Sequence, residues 1–382
     1  MFKKYYREFL KAHEGKIHLN AHSHHFWPDI TKEAQLQSWQ DSALYSDDKW
    51  NFAFSELIPN AQRHIAKILN YSNPSQIAFA PNTHELLSRL FSSFQDKKKT
   101  TLLTTTSEFH SLGRQAQRLM ELESFDVISI DNEKESFKDD FLEQIKNADI
   151  IFISQVFFNS GEVLEKEFIE KIIREKNKET IFCLDGYHAF CAIPTDLSSI
   201  EEHVYYFAGG YKYAQAGEGA CFMTVPKNCS LRPVNTGWFA SFETLEEHTD
   251  KVLYSKNGMK FWGATQDLTP WYRFNAVWDL FTKDGLTVSS IDQFIKKKQQ
   301  LFIDNIEHRD LFLSHDIDHL GHFLTIEFAD QAVCKKVQQD LAKKNILTDF
   351  RGSRLRFGFG MYLDDQDVLE AARVVNSLKS IN

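Results

Sequence analysis

A chain of 382 residues is long enough for one large domain and a smaller one. Its 42% hydrophobic and 25% charged residues are those of a globular protein, and its net charge of −9 argues against non-specific nucleic-acid binding. No apolar run reaches the roughly 18–20 residues of a membrane span. The opening "MFKKYYREFLKAHEGK" lacks the apolar core of a signal peptide. Five scattered cysteines with no CxxC pair fit a reducing cytoplasm.

In chain order, "QIAFA" (76–80), "TLLTTT" (101–106, with Thr100 leading), "FDVISI" (125–130), "DIIFIS" (149–154), "TIFCLD" (180–185) and "VYYFAG" (204–209) read as buried strands. They have strand length and are rich in Ile, Val, Phe and Thr. The stretches between them, such as "HELLSRLFSSF" and "EFIEKIIREKN", carry apolar residues at helical spacing. "DKKKT" (96–100) reads as a solvated turn. Strand–helix alternation predicts an α/β fold, a mostly parallel mixed sheet sandwiched by helices. "EGACFMTV" (218–225) follows a short turn and is expected to run antiparallel.

Beyond about residue 265 the pattern changes to long helices, then "GHFLTIEF", "AVCKKVQQDLAKKN", "RLRFGF" and "DDQDVLEAARVVNSLKS". This predicts a small C-terminal α+β domain. The expected divisions are an N-terminal segment (1–30) packing on the small domain or at the mouth of the site, a large domain (31–265) and the small domain (266–382).

Ligands of open parallel sheets sit beyond the carboxyl ends of the strands. The residues at those ends include Asn82, Thr83, Phe109, His110, Ser154, Gln155, Asp185, His188, Tyr211 and Lys212. "PNTHE" is a helix start in which Asn82 caps and Glu85 resembles a capping-box partner; its free N–H groups suit either a plain cap or a phosphate. Asp185 ends an apolar strand, so it needs a partner: a cap, an ion pair or a cationic ring nitrogen. Lys212 follows a strand and two glycines. Desolvation there lowers a lysine's pKa and makes the amine a nucleophile able to form a Schiff base. A lysine paired with an aspartate is the pattern of pyridoxal phosphate sites.

"LDGYHAFCAIPTDLSSIEEHVYYFAGGYKYAQAGEGACF" resembles the core of the class V aminotransferase superfamily, fold type I among pyridoxal phosphate enzymes, and within it the kynureninases. The resemblance implies pyridoxal 5'-phosphate bound as a Schiff base on Lys212, with Asp185 at the ring nitrogen and His188 beside it. Asn82, Thr83, Tyr211, Ser154 and Trp238 (in "TGWFAS") are implied around the cofactor, with Phe109 stacking on its ring. Thr265 of "FWGAT" is implied to reach the phosphate of a neighbouring subunit in a homodimer. Arg356 of "RLRFGFGMY" is implied to grip the substrate carboxylate. "NAHSHHFWP" is similar to a stretch lining the mouth of the site, which implies Ser23 and His24 as substrate contacts.

His22, His24 and His25 also invite a metal-dependent hydrolase, but no HExxH or matching ligand spacing accompanies them, and no metal site is expected. "RFGFGMYLDDQ" has no cysteine where cysteine desulfurases of the superfamily carry one, so desulfurase chemistry is set aside. The expectation is a cytoplasmic, homodimeric enzyme acting on an amino acid by kynureninase-like hydrolytic Cβ–Cγ cleavage. Transamination and β-lyase chemistry are the alternatives, with no nucleic acid or membrane as partner.

Overall fold

The computed structural model describes residues 2–95, 99–247 and 249–378. Most of the turn read at 96–100 therefore lies outside the described residues. Twelve strands are described: β1 (Ile17–His18), β2 (Ile77–Ala80), β3 (Thr100–Thr105), β4 (Phe125–Ile130), β5 (Ile150–Ser154), β6 (Ile181–Asp185), β7 (Val204–Gly209), β8 (Cys221–Thr224), β9 (Phe323–Glu327), β10 (Ile346–Leu347), β11 (Asp349–Arg351) and β12 (Arg354–Gly358).

Seven strands form the main sheet in the order β2-β8-β7-β6-β5-β3-β4. β8 is antiparallel to both neighbours, and the other pairings are parallel. This is the mixed α/β sheet expected. β5 and β7 are buried along their whole length, as a sheet covered on both faces requires. β4 lies at the edge and exposes Asp126 and Ser129. The chain runs outward from β3 to β4 and returns on the other side of β3 as β5. The strand order therefore reverses between β3 and β5, where a crevice opens. Register puts Ser154, Asp185 and Phe207 in one row at that rim.

The small C-terminal sheet is β11-β12-β9, antiparallel throughout. β1 pairs in parallel with β10, and Asn20 bridges Gly358, so the start of the chain is stitched to its last strands. The helix Thr269–Lys283 packs on the main sheet's side although it follows the expected boundary at 265. Trp271 stacks on Phe79 of β2 at 3.7 Å, and the Arg273 guanidinium donates to the carbonyls of Ala216 and Glu218, both at 2.7 Å. Tyr272 Oη donates to Asp41 of the helix Ile30–Tyr45 at 2.8 Å. Among the described residues no helix is long and apolar enough to cross a membrane.

Candidate active site

A cavity of about 210 Å³ lies over the carboxyl ends of the main-sheet strands. Lys212 Nζ, only 5% exposed at its residue, lies 2.7 Å from His188 Nε2. Burial lowers the lysine to about 7 against the opposing pull of Asp185, and burial with Lys212 nearby holds His188 well below its ordinary value. A lysine lowered towards neutrality thus faces an imidazole that is itself held low. Burial raises Asp185, while the Tyr187 N–H, donating to Oδ1 at 2.8 Å, and Lys212 favour its charged form.

At one end of the cavity the helix Thr83–Ser92 begins. Asn82 Oδ1 accepts the Glu85 N–H at 2.9 Å, as a cap should. The return arm of a capping box is replaced, because the Glu85 carboxylate pairs with Arg89. Thr83 and Tyr211 line the same end. Phe109 lines another wall, 37% exposed, its ring 5.6 Å from Lys212 Nζ and edge-on to Phe158.

Beneath Phe109, Glu108 ties two strand ends together. It accepts from Thr105 Oγ1 at 2.7 Å, from Ser154 N–H at 3.1 Å and from Ser154 Oγ at 2.6 Å. Burial pushes its carboxyl up to about 7, against those hydrogen bonds, and Asp185 adds to the rise. Ser154 therefore lines the cavity with its hydroxyl already engaged. Gln155 turns away, its amide bonded to Thr195 and Tyr206.

Arg356 is 3% exposed. Its Nε and Nη2 meet both oxygens of Asp349, at 3.0 and 2.7 Å, and its Nη1 donates to the carbonyl of Phe158, a cavity-wall residue. Asp349 also bonds His22 Nε2 at 2.8 Å. The three neighbouring histidines part company: His22 faces Asp349, His25 Nδ1 donates to the Phe26 carbonyl at 2.7 Å, and His24 is exposed with its ring 5.4 Å from Tyr211. Ser23 Oγ lies 3.5 Å from His24 Nδ1. Among the described residues no group of three or more His, Cys, Asp or Glu could hold a metal ion.

Trp238 and Thr265 are not brought to this cavity. Trp238 is 44% exposed and packs on Phe239 and Phe242. Thr265 lines a separate cleft with Leu36, Trp39 and Trp50. Four residues that bear on the site escape a reading by strand ends: Glu108, Tyr187, Phe158 and Asp349. Glu108 and Tyr187 each adjoin a chosen residue, Phe109 and His188, and Phe158 stands three positions beyond Gln155. Asp349 carries no sequence signal, because only strand pairing sets it opposite Arg356.

A lysine kept neutral beside a strand-end carboxylate suits a carbonyl cofactor with a basic ring nitrogen. The class defined by this fold and cavity is the pyridoxal-phosphate-dependent enzymes. The model of the family described as "Aminotransferase class-V" matches residues 31–368, and the chain belongs to that family. The residues present fit the cofactor. His188 Nδ1 is buried without a partner, and Gly209 has no Cβ to displace the Tyr187 ring from the cavity wall, since a Cβ there would lie 2.3 Å from the Tyr187 hydroxyl.

Among curated proteins, the mitochondrial cysteine desulfurases of Candida albicans and Candida maltosa are each 26% identical over 186 residues, 47% of this chain. The match spans only 37% and 38% of those two proteins. Solved structures share the fold. A mutant of C-DES with glycine covalently linked to its pyridoxal phosphate superposes with a TM-score of 0.83 at 15% identity, covering 97% of this chain and 99% of that one. The cystine C–S lyase C-DES with its product cysteine persulfide gives 0.82 at 16% identity, over 96% and 99%. The Escherichia coli cysteine desulfurase CsdA gives 0.78 at 14% identity, over 95% and 94%.

These findings overturn the setting aside of desulfurase chemistry, because the curated relatives themselves are cysteine desulfurases. A missing cysteine in one loop does not cancel a likeness that runs over 186 residues. The kynureninase likeness is not supported by these relatives either. The coarser statement stands: the chain belongs to the class V aminotransferase family and has the fold of pyridoxal-phosphate-dependent enzymes.

Proposed function

We propose that this enzyme cleaves the carbon–sulfur bond of a sulfur-containing amino acid such as cysteine or cystine. The observation that carries the reading is the contact between Lys212 Nζ and His188 Nε2 at 2.7 Å, a buried base with a neutral partner for its proton. The printed activities of the relatives, cysteine desulfurase and cystine C–S lyase, support the sulfur-containing substrate.

When bound, pyridoxal phosphate supplies an electron sink that acidifies the Cα proton of an attached amino acid. Lys212 would hold the cofactor covalently, and its buried amine, once free, would be the base placed to take the Cα proton. His188 shares that proton through Nε2. Asp185 keeps the ring nitrogen protonated. Phe109 covers one ring face, and Asn82, Thr83 and Tyr211 attend the phosphate. Arg356 makes three hydrogen bonds within the protein, fewer than its N–H groups allow, so it retains donors for a substrate carboxylate. Ser23 and His24 border the entrance. The electron pair left on Cα by the departing proton would form a Cα=Cβ bond as the sulfur leaves Cβ with the C–S pair, as sulfide from cysteine or as a persulfide from cystine.

A second copy of the chain completes the proposal. Trp39 is 72% and Leu44 73% exposed on the helix beside the cleft that holds Thr265, a surface suited to a homodimer in which Thr265, and Trp238 with it, serves the partner's phosphate. Five free cysteines support a reducing compartment, whether the cytoplasm or, as for the Candida relatives, the mitochondrion.

The apolar wall of Phe109 and Phe158 favours a second reading, hydrolytic Cβ–Cγ cleavage of an aromatic substrate. One assay decides. The loaded enzyme is offered cystine, cysteine, kynurenine and an amino-acid/keto-acid pair, and products are identified by mass. Sulfide or persulfide from the first two supports the proposal. An aromatic fragment from kynurenine, or amino-group transfer alone, sinks it.

A further inference from the structure

The loop after β6 runs Asp185-Gly186-Tyr187-His188, and its tyrosine has no role so far. The Tyr187 ring lies 5.2 Å from that of Tyr211 and 4.9 Å from Lys212 Nζ, so it forms part of the cavity wall. Its hydroxyl points away from the lysine, towards the start of the helix Thr83–Ser92. There its neighbour is Cys221 Sγ at 3.4 Å, and that sulfur is also met by the backbone N–H groups of Thr83 and Gly210.

The backbone makes way for this hydroxyl. A Cβ on Gly209 would lie 2.3 Å from it and 2.6 Å from Cys221 Sγ. Any side chain at Gly209 would therefore evict the phenol. A thiol is a weak acceptor, so at this distance the O–H has no strong partner. Burial holds the phenol well above its ordinary pKa, so it is a hydrogen-bond donor at neutral pH. The phenol O–H stands beside the start of the helix Thr83–Ser92, whose dipole favours an anion. It lies at the end of the cavity formed by Asn82, Thr83 and Tyr211.

We propose that the Tyr187 hydroxyl, seated over Gly209, donates a hydrogen bond to the cofactor's phosphate. The contact does not depend on which amino acid the enzyme cleaves. It makes Tyr187 a binding residue with Tyr211, two phenols closing on one anion from adjacent loops.

The test compares pyridoxal 5'-phosphate with pyridoxal, which lacks the phosphate. Apo-protein of the wild type, Tyr187→Phe and Gly209→Ala is titrated with each, and binding is read from protein fluorescence. A hydrogen bond to a charged group corresponds to a loss of roughly ten- to a hundredfold in affinity. Tyr187→Phe is expected to lose that much for pyridoxal phosphate and nothing for pyridoxal. The phenylalanine keeps the ring, and a melting curve on each protein checks that it is folded. Gly209→Ala is expected to show the same selective loss. Equal weakening for both ligands, or no weakening for either, overturns the proposal.

Discussion

Arg356 and Asp349 stand opposite each other on β12 and β11 and meet in a two-point ion pair, Nε to Oδ1 at 3.0 Å and Nη2 to Oδ2 at 2.7 Å. The same carboxylate accepts from His22 Nε2, and against the opposing effect of burial its contacts with His22 and Arg356 hold it well below the usual range. The expected substrate anchor is therefore already anchored itself. Removing one partner of a buried pair leaves an uncompensated charge, at a cost of about 3–5 kcal/mol. Asp349→Ala is expected to lower stability by about that much in chemical denaturation. Arg356→Lys, which loses the fork geometry, is expected to raise KM for the amino acid while leaving cofactor affinity unchanged.

Cofactor capture should follow the neutral form of Lys212. Burial lowers this amine to about 7. Below that value the neutral fraction falls about tenfold per pH unit; above it the fraction saturates. The rate at which apo-protein develops the near-visible band of the bound cofactor is therefore expected to climb up to about pH 7 and then level off. A rate still rising through pH 9 contradicts a desolvated lysine. Lys212→Ala is expected to abolish the covalent band at every pH.

Acid should unfold this protein through its buried histidines. Burial lowers His18 to about 3 and His22 and His25 each to about 4, with His188 also held low. Between those values and the unfolded pKa of about 6.5, the unfolded chain binds more protons. Stability conferred by keeping them neutral is thus present above about 6.5 and is lost as pH falls, by up to about 1.4 kcal/mol per histidine per pH unit. Glu108 works the other way. Its folded value of about 7 exceeds the unfolded one, so its contribution fades as pH rises from about 4.5 to 7. Denaturation across pH 4 to 7 is expected to show a net gain with pH. Glu108→Gln is expected to steepen that gain, and His22→Gln to reduce it by close to one proton.

The exposed stripe of Trp39 and Leu44 tests the shared site. Trp39→Asp combined with Leu44→Asp is expected to sediment as a monomer and to hold pyridoxal phosphate more weakly, as Thr265 no longer has a partner to serve. A wild type that sediments as a monomer refutes the arrangement at once.

The main sheet was legible because its strands are buried on both faces, and unbroken apolar runs such as "DIIFIS" follow from that. Lys212, Asp185 and His188 were legible for a related reason: polar residues stop those runs at one rim. The helix Ile30–Tyr45 was not, because Leu36, Trp39 and Leu44 make its outer side apolar too and blur the helical period. The three histidines of "NAHSHH" look like a cluster in one dimension and diverge in three, since adjacent side chains on an extended or turning backbone point apart. The pairing of Arg356 with Asp349 depends on a hairpin register that local pattern does not encode.

The parallel pairing of β1 with β10, and of Asn20 with Gly358, has a bearing on biosynthesis. The segment that carries His22, Ser23 and His24 is made roughly 300 residues before its strand partner. At roughly 5–20 residues per second that wait is tens of seconds. In the last part of it, once β8 has been made, the seven-stranded sheet can already have formed, with Lys212 and Asp185 in place and the entrance unbuilt. Cofactor loading is thus open to the nascent chain before the pocket that selects the amino acid is finished.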